Sequence, residues 1–387
     1  MASRNIKNAR NIMEPIRILH EDVIMDQGGI ETLLMNVYRH IDRNLIQFDF
    51  MVHRPDCGFY EDEIESLGGR IYRAPKFSPI PGQYQEFMKS VENILTAHPE
   101  YKIFHAHAEL NLWPLMVATK LGIPTRIAHS HNAKSTVNLK YFFFKYEQLF
   151  IKKYCTDMFM CSTPAGEWSF GKDAVASGKV QLIKNGIDTA KFEFNESVRA
   201  KKREELNVKD KLVIGHVGRF MFQKNHSFLI DIFNEIHKIN DNTVLVLVGD
   251  GELADKIKSK VSQLGLSDSV IFVGNTSAVS DFMQAMDVFL FPSHWEGLPL
   301  TGVEAQTAGL PVIMSDVIAD ELCITGNTYK LSTELGAEAW ARKVLDVAYS
   351  YKRTNTRQAV IDAGYDICTT ADWLTEFYLR KHNEVVK

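Results

Sequence analysis

The sequence predicts an α/β protein built from two doubly wound domains. Three observations carry this. Short β-type runs alternate with stretches of helical spacing along the chain. The alternation breaks in a polar, charged segment near residues 189–210 and then restarts. The length, 387 residues, suits two domains of ~150 residues or somewhat more. Residues 1–13 are rich in Asn, Arg and Lys without apolar periodicity and are expected to form a disordered tail. The first domain is expected over 14–188 and the second over 195–367.

The elements follow in order. Ile16–His20 is a short β run, Gly28 and Gly29 make a turn, and Ile30, Leu33, Leu34, Val37 and Ile41 have helical spacing. Further strands are expected at Phe48–His53, Arg70–Ala74, Ile103–His107, Thr125–Ser130, Asp157–Ser162 and Val180–Lys184. After the charged segment come Leu212–Val217, Thr243–Val248, Val270–Val273, Val288–Phe291 and Val312–Met314. Strands alternating with helices imply parallel sheets covered on both faces. Ligands of such sheets bind beyond the carboxyl ends of the strands, so a cleft between two such domains is the expected site.

Composition narrows the function. Hydrophobic residues at 45% and charged residues at 24% are ordinary for a globular chain. The formal charge is −4, with 22 basic against 21 acidic residues in 1–190 and 22 against 27 in the rest. No nucleic-acid partner is expected, and the first half is the one better suited to an anionic surface. Apolar runs such as Thr243–Val248 fall far short of the ~20 residues of a spanning helix. The N-terminus has no apolar core of a secretory signal, so a cytoplasmic protein is expected. Five cysteines without a CxxC pair read as buried free thiols in a reducing compartment.

The strongest chemical signal is Glu296-Gly-Leu-Pro-Leu-Thr-Gly-Val-Glu304, which follows the strand ending at Phe291-Pro292-Ser293. A helix is expected from Leu300 to Ala308, stopped by Gly309 and Pro311. Its N-terminus presents unpaired N–H groups and a partial positive charge, a natural seat for a diphosphate. Glu296 on the loop and Glu304 in the first turn make sense beside phosphate if they accept hydrogen bonds from sugar hydroxyls. The second signal is Gly218-Arg219 to Lys224-Asn225, on the loop after Leu212–Val217. Arg as a planar fork and Lys as a point charge suit a departing diphosphate. Gly249, Gly251 and Asn275 end two further strands, where backbone can approach a nucleotide.

In the first half, His105 and His107, then His129 and His131, end two successive strands and are expected at the cleft. No HExxH or comparable spacing argues for zinc, and there is no Asp-x-Asp pair to hold a diphosphate through a divalent cation. No metal and no cofactor are therefore expected. Residues 140–154, KYFFFKYEQLFIKKY, are aromatic and basic. They read either as a helix buried on one side or as a segment resting on an anionic membrane.

These motifs resemble those of the family 4 glycosyltransferases with the GT-B fold, two Rossmann-like domains facing across a cleft. The similarity is greatest to the EpsF-type enzymes of exopolysaccharide and capsule assembly. It runs from about Ile16 to the end of the chain and rests on MDQGGIETLLMNVYR, RIAHSHN, IGHVGRFMFQKNH and FPSHWEGLPLTGVEAQTAGLPVI. The resemblance implies a retaining enzyme that moves a hexose from a nucleotide sugar, UDP-linked by family habit, to a lipid-linked saccharide at the inner membrane face. It implies that Arg219 and Lys224 hold the diphosphate and that Glu304 binds the ribose. It gives Glu296, with the amides of Gly297 and Leu298, the donor hexose, and the amides of Leu300 and Thr301 the phosphate. Gly28 and Gly29 would close on the reaction centre, His131 would lie near the transferred sugar with His129 as its competitor, and helix 368–387 would cross back to the first domain. Two other classes share the donor site: a nucleotide-sugar epimerase, and a non-enzymatic partner that binds nucleotide sugar.

Overall fold

The computed structural model describes residues 14–26, 28–78, 80–107, 111–131, 139–296 and 298–386. The expectations for residues 1–13 and for Gly297 fall outside them. The strands are β1 Ile16–Asp22, β2 Ile46–Val52, β3 Ile71–Arg73, β4 Ile103–Ala106, β5 Thr125–Ser130, β6 Asp157–Met160 and β7 Val180–Leu182, then β8 Leu212–Val217, β9 Thr243–Val248, β10 Val270–Gly274, β11 Val288–Phe291, β12 Val312–Ser315 and β13 Thr328–Leu331. The first seven form one sheet, in the order β3-β2-β1-β4-β5-β6-β7; the last six form another, β10-β9-β8-β11-β12-β13. In both, the strand order reverses beside the first strand, between β1 and β4 and between β8 and β11. Those are the switch points at which doubly wound sheets bind ligands. The family fold expected from the sequence is the one observed, two parallel Rossmann-like sheets.

Contacts group the described residues into two compact units. One comprises Met1–His129, Phe143–Met158 and Ala371–Lys387; the other Ser130–Phe142 and Phe159–Thr370. In the first unit, β1 and β2 bury almost every side chain on both faces, as a central parallel strand requires. In the second, β9, reading TVLVLV, is fully buried. Two apolar layers cover its sheet, one built around Phe289, Phe291 and Val303, the other around Phe233, Leu245 and Trp340.

The strand β13 was not expected from the sequence. Its four residues, TYKL, are all half-buried on the sheet edge, so the apolar signal is weak. The charged segment after residue 189 is helical in two places. It forms helices Thr189–Phe192 and Glu196–Glu205, the second capped by the Asn195 side chain. Arg199 and Arg203 both pair with Asp287, at 2.5 and 3.1 Å, and Arg199 also donates to the carbonyls ending helix Val279–Ala285. Of the five cysteines only Cys161 is buried, with Cys155 half-buried. Cys57, Cys323 and Cys368 are exposed, so the expectation of buried thiols is corrected for those three.

Candidate functional site

The second sheet carries the clearest constellation. Beyond β8 the chain runs through Gly218 and Arg219 into a 3-10 turn, Phe222–Lys224. Asn225 then takes a left-handed conformation, φ 54°, and starts helix His226–Ile239. Beyond β11 it runs through Pro292 and Ser293 to Glu296, and helix Leu300–Thr307 follows. The two loops are stitched together. Asn225 donates to the Pro292 carbonyl at 3.1 Å, the His294 amide to the Gln223 carbonyl at 2.8 Å, and the Gln223 amide to the Trp295 carbonyl at 2.9 Å. Phe222 stacks on His294 with ring centres 4.7 Å apart.

At the centre of this join Lys224 Nζ meets Glu296 Oε1 at 2.8 Å, both side chains being largely withdrawn from solvent. Gln223 donates to the other oxygen of Glu296 at 3.2 Å. Lys224 also lies over the Phe291 ring, 4.9 Å from its centre. The structure thus brings together two residues the sequence assigned to different parts of the ligand. Arg219 stands apart from the pair: it is exposed, and its guanidinium has no partner among the described residues. A cation on the surface of a strand-end loop is available to an anion.

Helix Leu300–Thr307 begins where expected and ends at Ala308, before Gly309 with φ 72°. The amides of Leu300 and Thr301 head the helix and have no intrahelical acceptor. The Thr301 and Ser293 hydroxyls are buried without a hydrogen-bond partner among the described residues. Leu298 is buried in the core of the unit. Glu304 is the fifth helical residue and so belongs to the second turn, not the first. Charge–dipole stabilisation fades within one turn. Its carboxyl accordingly shifts the other way: burial pushes it up to about 7, against the opposing pull of Lys191. Among the described residues the Glu304 carboxyl has no hydrogen-bond partner.

Gly249 is required by backbone packing. Its φ is 127°, and a Cβ there would lie 2.3 Å from the Gly218 carbonyl oxygen. A Cβ on Gly251 would lie 2.7 Å from that of Phe220. These glycines let the loop after β9 close on the loop after β8, which explains them without a ligand. Asn275 is exposed just past β10.

Sequence reasoning passed over two histidines here, although both stand in the IGHVGRFMFQKNH run. His216, on β8, holds the Leu290 carbonyl at 2.8 Å through Nδ1. His226 stacks on Phe220 with ring centres 4.1 Å apart and meets His216 edge-on. Burial, with Lys224 nearby, pushes His226 down to about 4, and burial pushes His216 well below the usual imidazole range. Both are neutral at physiological pH, so the positive charge of this loop rests on Arg219 and Lys224.

In the first unit, Gly28 caps helix Gly29–His40, so Gly29 is helical where a turn was expected. A Cβ on Gly28 would run into the Glu31 carboxylate. His105, His107 and His129 are buried at the ends of β4 and β5, with ring centres 4.0 Å apart for the first two and 5.4 Å for His105 and His129. His131 follows β5 directly, and burial pushes its imidazole down to about 3. Tyr378, on helix Ile367–Val386, hydrogen-bonds His105 at 2.7 Å. His20 on β1 and Tyr378 were not singled out from the sequence; their positions reveal nothing until the strands are paired.

Comparison with known proteins gives the family. The model of "Glycosyl transferases group 1" matches residues 198–366, and that of "Glycosyltransferase Family 4" matches 27–191. The chain is 34% identical over 362 residues to the putative glycosyltransferase EpsF of Bacillus subtilis, covering 90% of this chain and 93% of the relative. It is 26% identical to the UDP-Gal:alpha-D-GlcNAc-diphosphoundecaprenol alpha-1,3-galactosyltransferase of Escherichia coli, over 94% and 97% of the two chains. Among solved structures, Anabaena HepE in complex with UDP and glucose superposes with a TM-score of 0.76 at 19% identity, over 94% of this chain and 99% of that one.

Proposed function

From the premise that this chain belongs to the family 4 glycosyltransferases, we propose that it is a retaining hexosyltransferase of exopolysaccharide or capsule assembly. Its donor is a nucleotide sugar, with UDP as the nucleotide, and its acceptor is a lipid-linked saccharide. The observation that carries the reading is the pairing of Lys224 with Glu296 where the loops after β8 and β11 join at the switch point, with Arg219 on the first loop and helix Leu300–Thr307 following the second. Relatives point the same way. The Escherichia coli relative is named for UDP-Gal and a diphosphoundecaprenol acceptor, and a Staphylococcus aureus relative, 25% identical over 95% of this chain, for capsular polysaccharide biosynthesis.

Residues 195–367 take the donor. Breaking the anomeric bond leaves negative charge on the diphosphate and oxocarbenium character on the sugar. Arg219, Lys224 and the amides of Leu300 and Thr301 are fixed donors for that charge, the kind of preorganised group whose removal costs ~10²–10³ in rate. Glu304 accepts from the ribose hydroxyls. Glu296, steered by Lys224 and Gln223, accepts from the hexose hydroxyls, with the amides of Gly297 and Leu298 beside it. His131, neutral, hydrogen-bonds the transferred sugar. With no carboxylate assigned as nucleophile, substitution takes place on the front face and the departing phosphate oxygen takes the acceptor proton. No metal is needed for the diphosphate, because protein cations and amides serve it.

Residues 14–188, with helix 368–387, take the acceptor. No described helix is long and apolar enough to cross a membrane. Helix Leu139–Tyr154 buries Phe144 and Ile151 yet exposes Phe142, Tyr146, Leu149 and Phe150, beside Lys145, Lys152 and Lys153. Leu149 is 74% exposed. Apolar and basic side chains side by side suit peripheral contact with an anionic membrane, where a lipid-linked acceptor resides.

The test is thermal stabilisation by a panel of nucleotides and nucleotide sugars in metal-free buffer, followed by product analysis with the stabilising donor. A midpoint rise with UDP and one UDP-sugar, and a product that keeps the anomeric configuration, is the expected result. No rise with any nucleotide in a folded protein removes the donor site. Epimerised donor in the absence of acceptor, or donor binding without any product, would replace this reading with the epimerase or the regulatory partner.

A further inference from the structure

The first sheet gathers histidines that the donor chemistry does not use. The period of a strand places His105 and His107 on one face of the chain at the end of β4. The parallel register sets His20 of β1 directly beside His105, and the His107 amide donates to the Glu21 carbonyl at 2.9 Å. Three imidazoles drawn from positions up to 87 apart are thereby gathered at the switch point of this sheet.

We propose that His20, His105 and His107 form a binding site for one transition-metal cation of the Zn²⁺ class. One nitrogen from each ring lies within 4.8 Å of the other two. His20 Nδ1 and His107 Nε2 are 3.0 Å apart. Two imidazole nitrogens bound to one tetrahedral Zn²⁺ at ~2.0–2.1 Å stand about 3.3 Å apart, so small ring rotations convert the cluster into a ligand set. All three rings are buried. Tyr378 holds His105 Nδ1 at 2.7 Å, which fixes the orientation of the ring. His20 keeps a buried Nε2 that has no hydrogen-bond partner among the described residues. The donor set is nitrogen alone, which favours Zn²⁺, Ni²⁺ or Cu²⁺ over Mg²⁺ or Ca²⁺.

The ligands come from separate strands, which is why sequence spacing showed no metal motif. The site belongs to the first sheet and is independent of the diphosphate seat on the second, so either can fail without the other. A cation here would tie β1, β4 and, through Tyr378, the C-terminal helix into one clamp.

The test uses the full chain without an affinity tag, stripped with chelator, incubated with Zn²⁺ or Co²⁺, dialysed and analysed for metal content. One equivalent of bound metal is expected, with the strong visible d–d bands of low-coordinate Co²⁺. His20→Phe and His105→Phe should lose both signals. Tyr378→Phe, which keeps the ring and removes only the hydroxyl, should weaken affinity about 10–100-fold. His40→Ala, on the surface, should bind as the parent does. A parent chain that retains no metal and shows no Co²⁺ bands overturns the site. Equal binding by His20→Phe and Tyr378→Phe also overturns it, by placing the metal elsewhere. If the histidine variants fold poorly, Tyr378→Phe decides.

Discussion

Replacing Lys224 by Ala tests the donor seat and its construction at once. Glu296 is 6% exposed and pairs with Lys224 at 2.8 Å. Removing Lys224 leaves a buried carboxylate with one remaining side-chain donor, Gln223 at 3.2 Å. Breaking a fully buried pair costs about 3–5 kcal/mol. With Gln223 still in place the expected loss is near the lower end, about 3 kcal/mol. For a unit of this size that is a fall in melting midpoint of about 6–12 °C. Adding Glu296→Gln removes the stranded charge and should recover most of the midpoint, because a neutral amide can still bond Gln223. Turnover behaves differently. Both Lys224→Ala and the double variant should lose ~10²–10³ in kcat, since neither supplies the donor for the departing diphosphate. Thermal melts of the parent, both single variants and the double variant close a double-mutant cycle, with initial rates measured on the same preparations. Lys224→Ala melting with the parent, or a coupling near zero, refutes the buried-pair argument. Parent-like turnover in folded Lys224→Ala refutes the diphosphate assignment.

Other consequences are independent of that cycle. Glu304 has its folded value raised to about 7 from an ordinary 4.5, so its stabilising contribution is complete below about 4.5 and is lost as pH rises through 7. Relative to Glu304→Gln the parent should therefore lose stability between those values in pH-dependent melts, while its UDP affinity rises over the same range because ribose hydroxyls need the carboxylate. A Glu304→Gln variant with the same two pH profiles as the parent would remove that role. Arg219→Ala, at an exposed side chain without a partner among the described residues, should leave the melting midpoint unchanged and lower kcat/KM with the nucleotide sugar about 10²-fold; unchanged kinetics would mean that Arg219 is only surface charge. Leu149→Ser and Phe150→Ser should each weaken co-sedimentation with anionic vesicles roughly tenfold, and parent-like binding in both would detach helix Leu139–Tyr154 from the membrane.

Where each of these features comes from divides along one line. The sequence by itself determined what is local. Among the described residues, alternating apolar runs and glycine loops set twelve of the thirteen strands, and β5, β8, β9 and β11 were placed to the residue. The helix start at Leu300 was legible because a proline and an apolar loop precede a short run closed by Gly309. Strand-end motifs disclosed Arg219, Lys224, Glu296 and Glu304 as candidates, since the residues after a parallel strand always reach the binding edge. Tertiary structure decided how those groups act on one another. Lys224 and Glu296 are 72 positions apart, and only the β8–β11 pairing makes them an ion pair. Glu304 looks like a first-turn acid in sequence, yet its protonation follows from burial. His20, His107 and Tyr378 show no shared motif; register and the return of the last helix bring them to His105. Periodicity and turn chemistry act between neighbours and can be read along the chain. Desolvation and ion pairing depend on distance in space, which no local pattern encodes.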